Sequence, residues 1–116
     1  MNPSPLRYPG GKTKLCNKIS NIIMKSGLQG CTYIEPFAGG AGLALSLLYN
    51  GSVKKIVIND YDYHVYAFWY SILKYKDDFC NKLLNTAIDI AEWKNQREIY
   101  NNYQDYSIVD VGFSFF

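Results

Sequence analysis

Between residues 35 and 60 a carboxylate, a glycine run and a second carboxylate follow one another in an order that could hold a charged ligand. The run is Glu35-Pro36-Phe37-Ala38-Gly39-Gly40-Ala41-Gly42, and Asp60 follows eighteen to twenty-one residues after its glycines. Glycines between a strand and a helix let a ligand approach bare backbone and the helix N-terminus. An acid at the tip of the next strand can accept both hydroxyls of a ribose, as at the carboxyl edge of a parallel sheet that binds an adenosine-containing cofactor. A tight turn with Asp60 as a mere cap is the plainer alternative. No Gly-x-Gly-x-x-Gly is present, because Leu45 stands where the third glycine belongs, and this disfavours a pyrophosphate. Glu35 would repel phosphates and attract an ammonium or sulfonium. A cofactor with a cationic sulfonium and an amino-acid tail suits it better.

A second stretch, Arg7-Tyr8-Pro9-Gly10-Gly11-Lys12-Thr13, ends like a phosphate-binding loop. That motif needs a glycine where Leu6 stands and a strand before it, and only six residues precede Arg7. Nucleotide hydrolysis is therefore set aside. Pro9-Gly10-Gly11 instead fixes a turn that presents Tyr8 and Lys12 on one side. An aromatic face can stack on adenine, and an ammonium can meet a carboxylate. A solvated lysine beside a packed tyrosine is the alternative.

Other chemistries find little support. The single histidine, His64, stands in an aromatic stretch and reads as structural rather than as a catalytic base. Cys16, Cys31 and Cys80 form no Cys-x-x-Cys and lack histidine partners, so no metal set is expected and reduced, packed thiols are. Residues 1–34 hold five basic residues and no acid, whereas the remainder is net −3, a distribution suited to an anionic partner. Apolar residues make up 48% of the 116, too many for a disordered chain. No apolar run approaches the ~20 residues of a membrane span, and residues 1–14 lack a signal-like core. A cytoplasmic protein is the default expectation.

The elements that must position these residues follow from periodicity. A helix is predicted over Lys14 to Lys25, with Leu15, Ile19, Ile22 and Ile23 at three- and four-residue steps, stopped by Gly27 and Gly30. A short strand is predicted over Tyr33 to Phe37, then a helix from Ala41 to Tyr49 ending at Asn50-Gly51. A second strand, Lys55 to Asn59, reads as buried on both faces of a parallel sheet. Helices follow from Asp62 to about Lys76, from Asp77 to about Ala91, and from Glu92 to Tyr106, where Trp93, Tyr100 and Tyr103 read as packing surface. Strand, glycine turn, helix and strand make one right-handed βαβ unit, too little for a finished sheet. The last residues, Val111 to Phe116, place phenylalanines where exposure has no structural purpose, so the sequence reads as cut short.

The three segments Leu6–Lys12, Tyr33–Gly40 and Ile58–Asp62 together resemble, in order and spacing, the N-terminal part of the Dam-type (D12 class) DNA adenine-N6 methyltransferases. The resemblance implies an α/β fold: a partial, truncated Rossmann-like S-adenosylmethionine-dependent methyltransferase domain, a parallel sheet with flanking helices. Residues 1–31 would be an N-terminal loop and helix, 32–62 the strand–loop–helix–strand, and 63–116 helices leading into an aromatic element. It implies S-adenosylmethionine as cofactor and double-stranded DNA as partner, in a restriction–modification setting. It points to Tyr8 and Lys12 as lining the cofactor site, to Pro36, Phe37, Gly39 and Gly40 as cradling the methionine part beside Glu35, and to Asp60 as taking the ribose. Arg7 and Lys14 are the candidates for DNA contact. The family's catalytic Asp-Pro-Pro-Tyr is absent, since no Pro-Pro occurs. Methyl transfer by these residues alone is not expected, and a cofactor-binding remnant or a subunit completed by another chain is the alternative.

Overall fold

A computed structural model describes residues 2–116. Two compact units divide the chain, Met1–Asp60 and Tyr61–Phe116. In the first, an N-terminal loop passes through a 3-10 turn at Thr13–Leu15 into helix α1, Cys16–Lys25. Strand β1 (Cys31–Glu35), helix α2 (Gly42–Tyr49) and strand β2 (Val53–Ile58) follow. The two strands pair in parallel, with Tyr33 opposite Ile56, Ile34 opposite Val57 and Glu35 opposite Ile58. The predicted βαβ order is present, as a mixed helix–strand fold with a two-stranded parallel sheet.

The core of this unit is Ile23, Leu43, Leu47 and Val53, with Ile19, Tyr33 and Ile56 packed against it. Burying side chains of this size contributes about 1.5–3 kcal/mol each. The apolar spacing turns only partly inward: Ile23 of α1 is buried, whereas Ile22 and Leu15, in the 3-10 turn before the helix, stay exposed. The first strand begins two residues earlier than predicted, where Cys31 pairs with Val53, and ends two residues earlier, because Pro36 has no N–H with which to continue a ladder. Pairing nevertheless carries past it, with Asn59 N–H donating to the Glu35 carbonyl and Ala38 N–H to the Asn59 carbonyl. Within this unit the sheet is covered on one face, where the sequence suggested cover on both. Ile34 is 64% and Val57 41% exposed on adjacent strands, since α1 and α2 cover only the opposite face.

The second unit is helical. Helix α3 (Tyr63–Lys74) starts on Asp62, whose carboxylate accepts the His64 N–H. Helices α4 (Lys76–Leu84), α5 (Ile90–Asn101) and α6 (Ile108–Phe115) follow. Helix α4 stops short of the predicted Ala91, because Asp89 caps a fresh helix by accepting the Glu92 N–H. The third helical stretch ends at Asn101 and is followed by a 3-10 turn, Tyr103–Asp105. The terminal phenylalanines are not left bare as the sequence suggested. Phe113 is 8% exposed and packs at 5.6 Å on Phe79, and Phe116 stacks on Phe68 at 5.7 Å. Phe115 is part-buried, and Phe116 is half exposed. Helix α6 approaches α3 closely at Gly112, where a Cβ would lie 2.6 Å from the Ala67 carbonyl oxygen.

His64 is held as a structural residue. Its ring stacks on Tyr100 at 3.8 Å, Nε2 lies 2.8 Å from the Tyr100 carbonyl and Nδ1 lies 3.3 Å from Asp62 Oδ1. Trp93 remains exposed, with Arg97 over its ring at 5.4 Å, so the aromatic stripe of α5 is only partly a packing surface. The three cysteines are free thiols, and Cys80 is exposed rather than packed because it lies on the outer side of α4. Among the described residues no helix is long and apolar enough to cross a membrane.

Candidate functional site

The loop between β1 and α2 turns sharply, and two residues in left-handed conformation make the turn. Gly39 has φ +51°, and Ala41, the residue before α2, has φ 51° despite its side chain. The tip of the next strand fastens the turn: Gly39 N–H donates to Asp60 Oδ2 at 2.8 Å. The N-terminal loop lies over the same turn. A Cβ on Gly39 would sit 2.8 Å from Cδ1 and Cε1 of Tyr8, so the tyrosine ring rests directly on glycine backbone. Lys12 reaches across and donates from Nζ to the Phe37 carbonyl at 2.8 Å. Three loops far apart in sequence thereby converge.

They enclose a cleft of about 320 Å³. Tyr8, Lys12, Glu35, Phe37, Gly39, Gly40 and Asp60 line it. Pro36 does not; it is exposed, and its carbonyl accepts from Asn59 Nδ2 at 3.3 Å. Phe37 contributes to the lining while its ring stays mostly in solvent. Arg7 and Lys14 are exposed and stand outside the lining.

Glu35 is the electrostatic centre. Its side chain is almost fully buried, and its Oε2 has no hydrogen-bond partner. Oε1 accepts from the Tyr33 hydroxyl at 3.3 Å and lies 3.7 Å from Lys12 Nζ, an ion pair longer than a hydrogen bond. Burial pushes the carboxyl above its usual range, while Lys12 and the Tyr33 hydroxyl pull it back. The Tyr33 phenol is pushed up to about 12, first by burial and then by the neighbouring Glu35 charge and hydrogen bond. A buried acceptor without a partner is costly. Either protonation or a donor from a molecule in the cleft relieves it.

Several lining residues escaped the sequence reading. Asn2, Ser4 and Thr13 bring polar side chains to the cleft, and Leu6 and Leu43 bring apolar ones. Asn2 Oδ1 accepts the Ser4 N–H and Ser4 Oγ accepts the Leu6 N–H, each at 3.1 Å, so these side chains shape the loop. Asn-Pro and Ser-Pro steps are turn signals that could have marked them. Tyr33 was also missed, although the two-residue period of a strand puts it on the same face as Glu35.

Residues 8–110 match the family of D12 class N6 adenine-specific DNA methyltransferases. The chain belongs to that family. A 57-residue stretch, 47% of the chain, is 37% identical to the type II methyltransferase M.MjaIII of Methanocaldococcus jannaschii. That match spans 20% of the relative's length. No solved structure matches the chain significantly. The family match runs through both units, from Tyr8 in the cleft to Asp110 in α6. Among the described residues of this DNA methyltransferase family member, no cluster of His, Cys, Asp and Glu could hold a metal ion.

Proposed function

We propose that the cleft binds S-adenosylmethionine and that the protein serves adenine-N6 methylation of double-stranded DNA. The observation that carries the reading is the buried Glu35 carboxylate, one oxygen of it unpartnered, in a cleft shared with Tyr8, Lys12, Gly39 and Asp60. An amino-acid ammonium supplies the donor that Glu35 lacks, and Lys12 suits the carboxylate of the same amino-acid end. Tyr8 offers a ring face for adenine, and Asp60, at the end of β2, suits the ribose hydroxyls. Gly39 and Gly40 carry no side chain, which lets the Tyr8 and Ser4 side chains lie close against the turn. When bound, the cofactor supplies an electrophilic methyl group on its sulfonium.

The chain's own contribution is binding and orientation. The residues that would hold a flipped adenine and aim its amine are a separate matter, because extrusion of a base is repaid only by a dedicated pocket. The prolines are Pro3, Pro5, Pro9 and Pro36, none adjacent, so these 116 residues lack the Asp-Pro-Pro-Tyr of the family's catalytic motif. On this reading they transfer no methyl group unaided. Activity would fall to a protein that contains this segment, acting on DNA in the cytoplasm. A second reading, a cofactor-binding subunit completed by another chain, is favoured by the Ile34–Val57 face of the sheet, which no element of its own unit covers.

Calorimetry with S-adenosylhomocysteine tests the cofactor. Binding that weakens at least about tenfold in Asp60→Ala supports a formed site, in line with loss of a charged hydrogen-bond acceptor. Absence of binding at millimolar ligand refutes it. Incubation with DNA and labelled S-adenosylmethionine should leave DNA unlabelled, and clear transfer by the chain alone would overturn the assignment of catalysis elsewhere.

A further inference from the structure

We propose that Tyr33 is a positioning residue: together with Lys12 it occupies Oε1 of Glu35, leaving Oε2 as the acceptor for the ammonium end of an amino-acid-bearing nucleoside. This rests on the cofactor reading above and adds the source of its selectivity. Both groups that meet the Glu35 carboxylate gather on one oxygen: the Tyr33 hydroxyl donates to it at 3.3 Å and Lys12 Nζ pairs with it by charge at 3.7 Å. The other oxygen is buried and has no partner. A carboxylate with donors shared between its oxygens would be satisfied without a ligand; one with donors on a single oxygen is half satisfied and selects a cation.

Tyr33 can do this because it is fixed. It lies on β1 two residues before Glu35, on the same strand face, opposite Ile56 and packed against the Ile23–Leu47 core. The hydroxyl also opposes the effect of burial on Glu35, as does Lys12. The titratable groups around the cleft are Tyr8, Lys12 and Asp60, with Tyr33 beneath; α2 brings none. Removing the hydroxyl therefore moves Glu35 further toward its protonated form, in which it lacks the negative charge that attracts an ammonium.

The test is Tyr33→Phe, which keeps the packed ring and deletes only the hydroxyl. In the ligand-free chain, carbon-13 NMR of the Glu35 carboxyl should show its titration midpoint move upward in the variant. Calorimetry across a pH series should show S-adenosylhomocysteine binding about tenfold more weakly, with the acid limb of its affinity shifted to higher pH. Binding of 5′-methylthioadenosine, which lacks the amino-acid end, should be unchanged. In a Glu35→Gln background the Tyr33→Phe change should add nothing. An unmoved Glu35 midpoint, or equal weakening of both ligands, refutes the positioning role. Failure of the parent chain to bind either ligand refutes the cofactor reading and this role with it, and the NMR titration, which needs no ligand, tells the two failures apart.

Discussion

Replacing Gly39 with alanine tests how the three loops are held together. Two costs act at that position. The backbone has φ +51°, a left-handed conformation that costs an ordinary L-residue about 1–2 kcal/mol. The new Cβ would also lie 2.8 Å from two Tyr8 ring carbons, against an ordinary separation of about 3.5–4.0 Å. The ring must then withdraw by about 1 Å. It can do so, being 39% exposed on a surface loop, so the clash costs ligand binding more than it costs folding. Urea unfolding of Gly39→Ala should show a loss of about 1.5–3 kcal/mol, equivalent to about 6–12 °C in the thermal midpoint. In a Tyr8→Ala background the same change should cost less, by about 0.5–1 kcal/mol, since the steric part has been removed. Affinity for S-adenosylhomocysteine should fall in Gly39→Ala, because Tyr8 no longer stands where adenine would meet it. Equal stability losses in both backgrounds, or none in either, would show that the ring does not rest on this glycine.

Other outcomes follow from the same geometry. Gly112→Ala should destabilise the Tyr61–Phe116 unit by up to about 2 kcal/mol in urea titrations: an over-packing penalty of about 1–3 kcal/mol is offset by roughly 1 kcal/mol of helix propensity gained, and the penalty falls toward its upper end because the clash is with the Ala67 backbone, which cannot step aside. Phe68→Ala should cost about 3–5 kcal/mol, since its fully buried ring touches Trp69, Phe79, Phe115 and Phe116. The Tyr33 phenol is harder to ionise folded, at about 12, than at its ordinary value of 10.0. Its contribution to stability is thus complete below that ordinary value and is lost as pH rises toward about 12. Denaturant titrations through that alkaline window should show a steeper decline in the parent chain than in Tyr33→Phe, and parallel declines would contradict the burial of the hydroxyl.

Much of the cleft was legible in the residues themselves. The glycine run, the proline-glycine turn after Tyr8 and the acid after the second strand mark three loops, and the structure brings all three to one cavity. Helices α2 and α3 begin within a residue of their predicted starts, because caps and stops are written in adjacent residues: Asp62 caps α3, and Gly51, at φ +79°, follows the end of α2. What the sequence left open concerns which surfaces meet. An apolar β2 suggested a strand covered twice, yet Val57 lies beside Ile34 on a face that no element of its own unit covers; terminal phenylalanines suggested exposure, yet Phe113 completes a core with Phe79. Tyr33, an aromatic in a strand, gave no sign that its hydroxyl would meet Glu35. Backbone conformation depends on near neighbours and so can be read locally. Burial, and with it the state of a carboxylate, depends on partners that only the folded chain brings within reach.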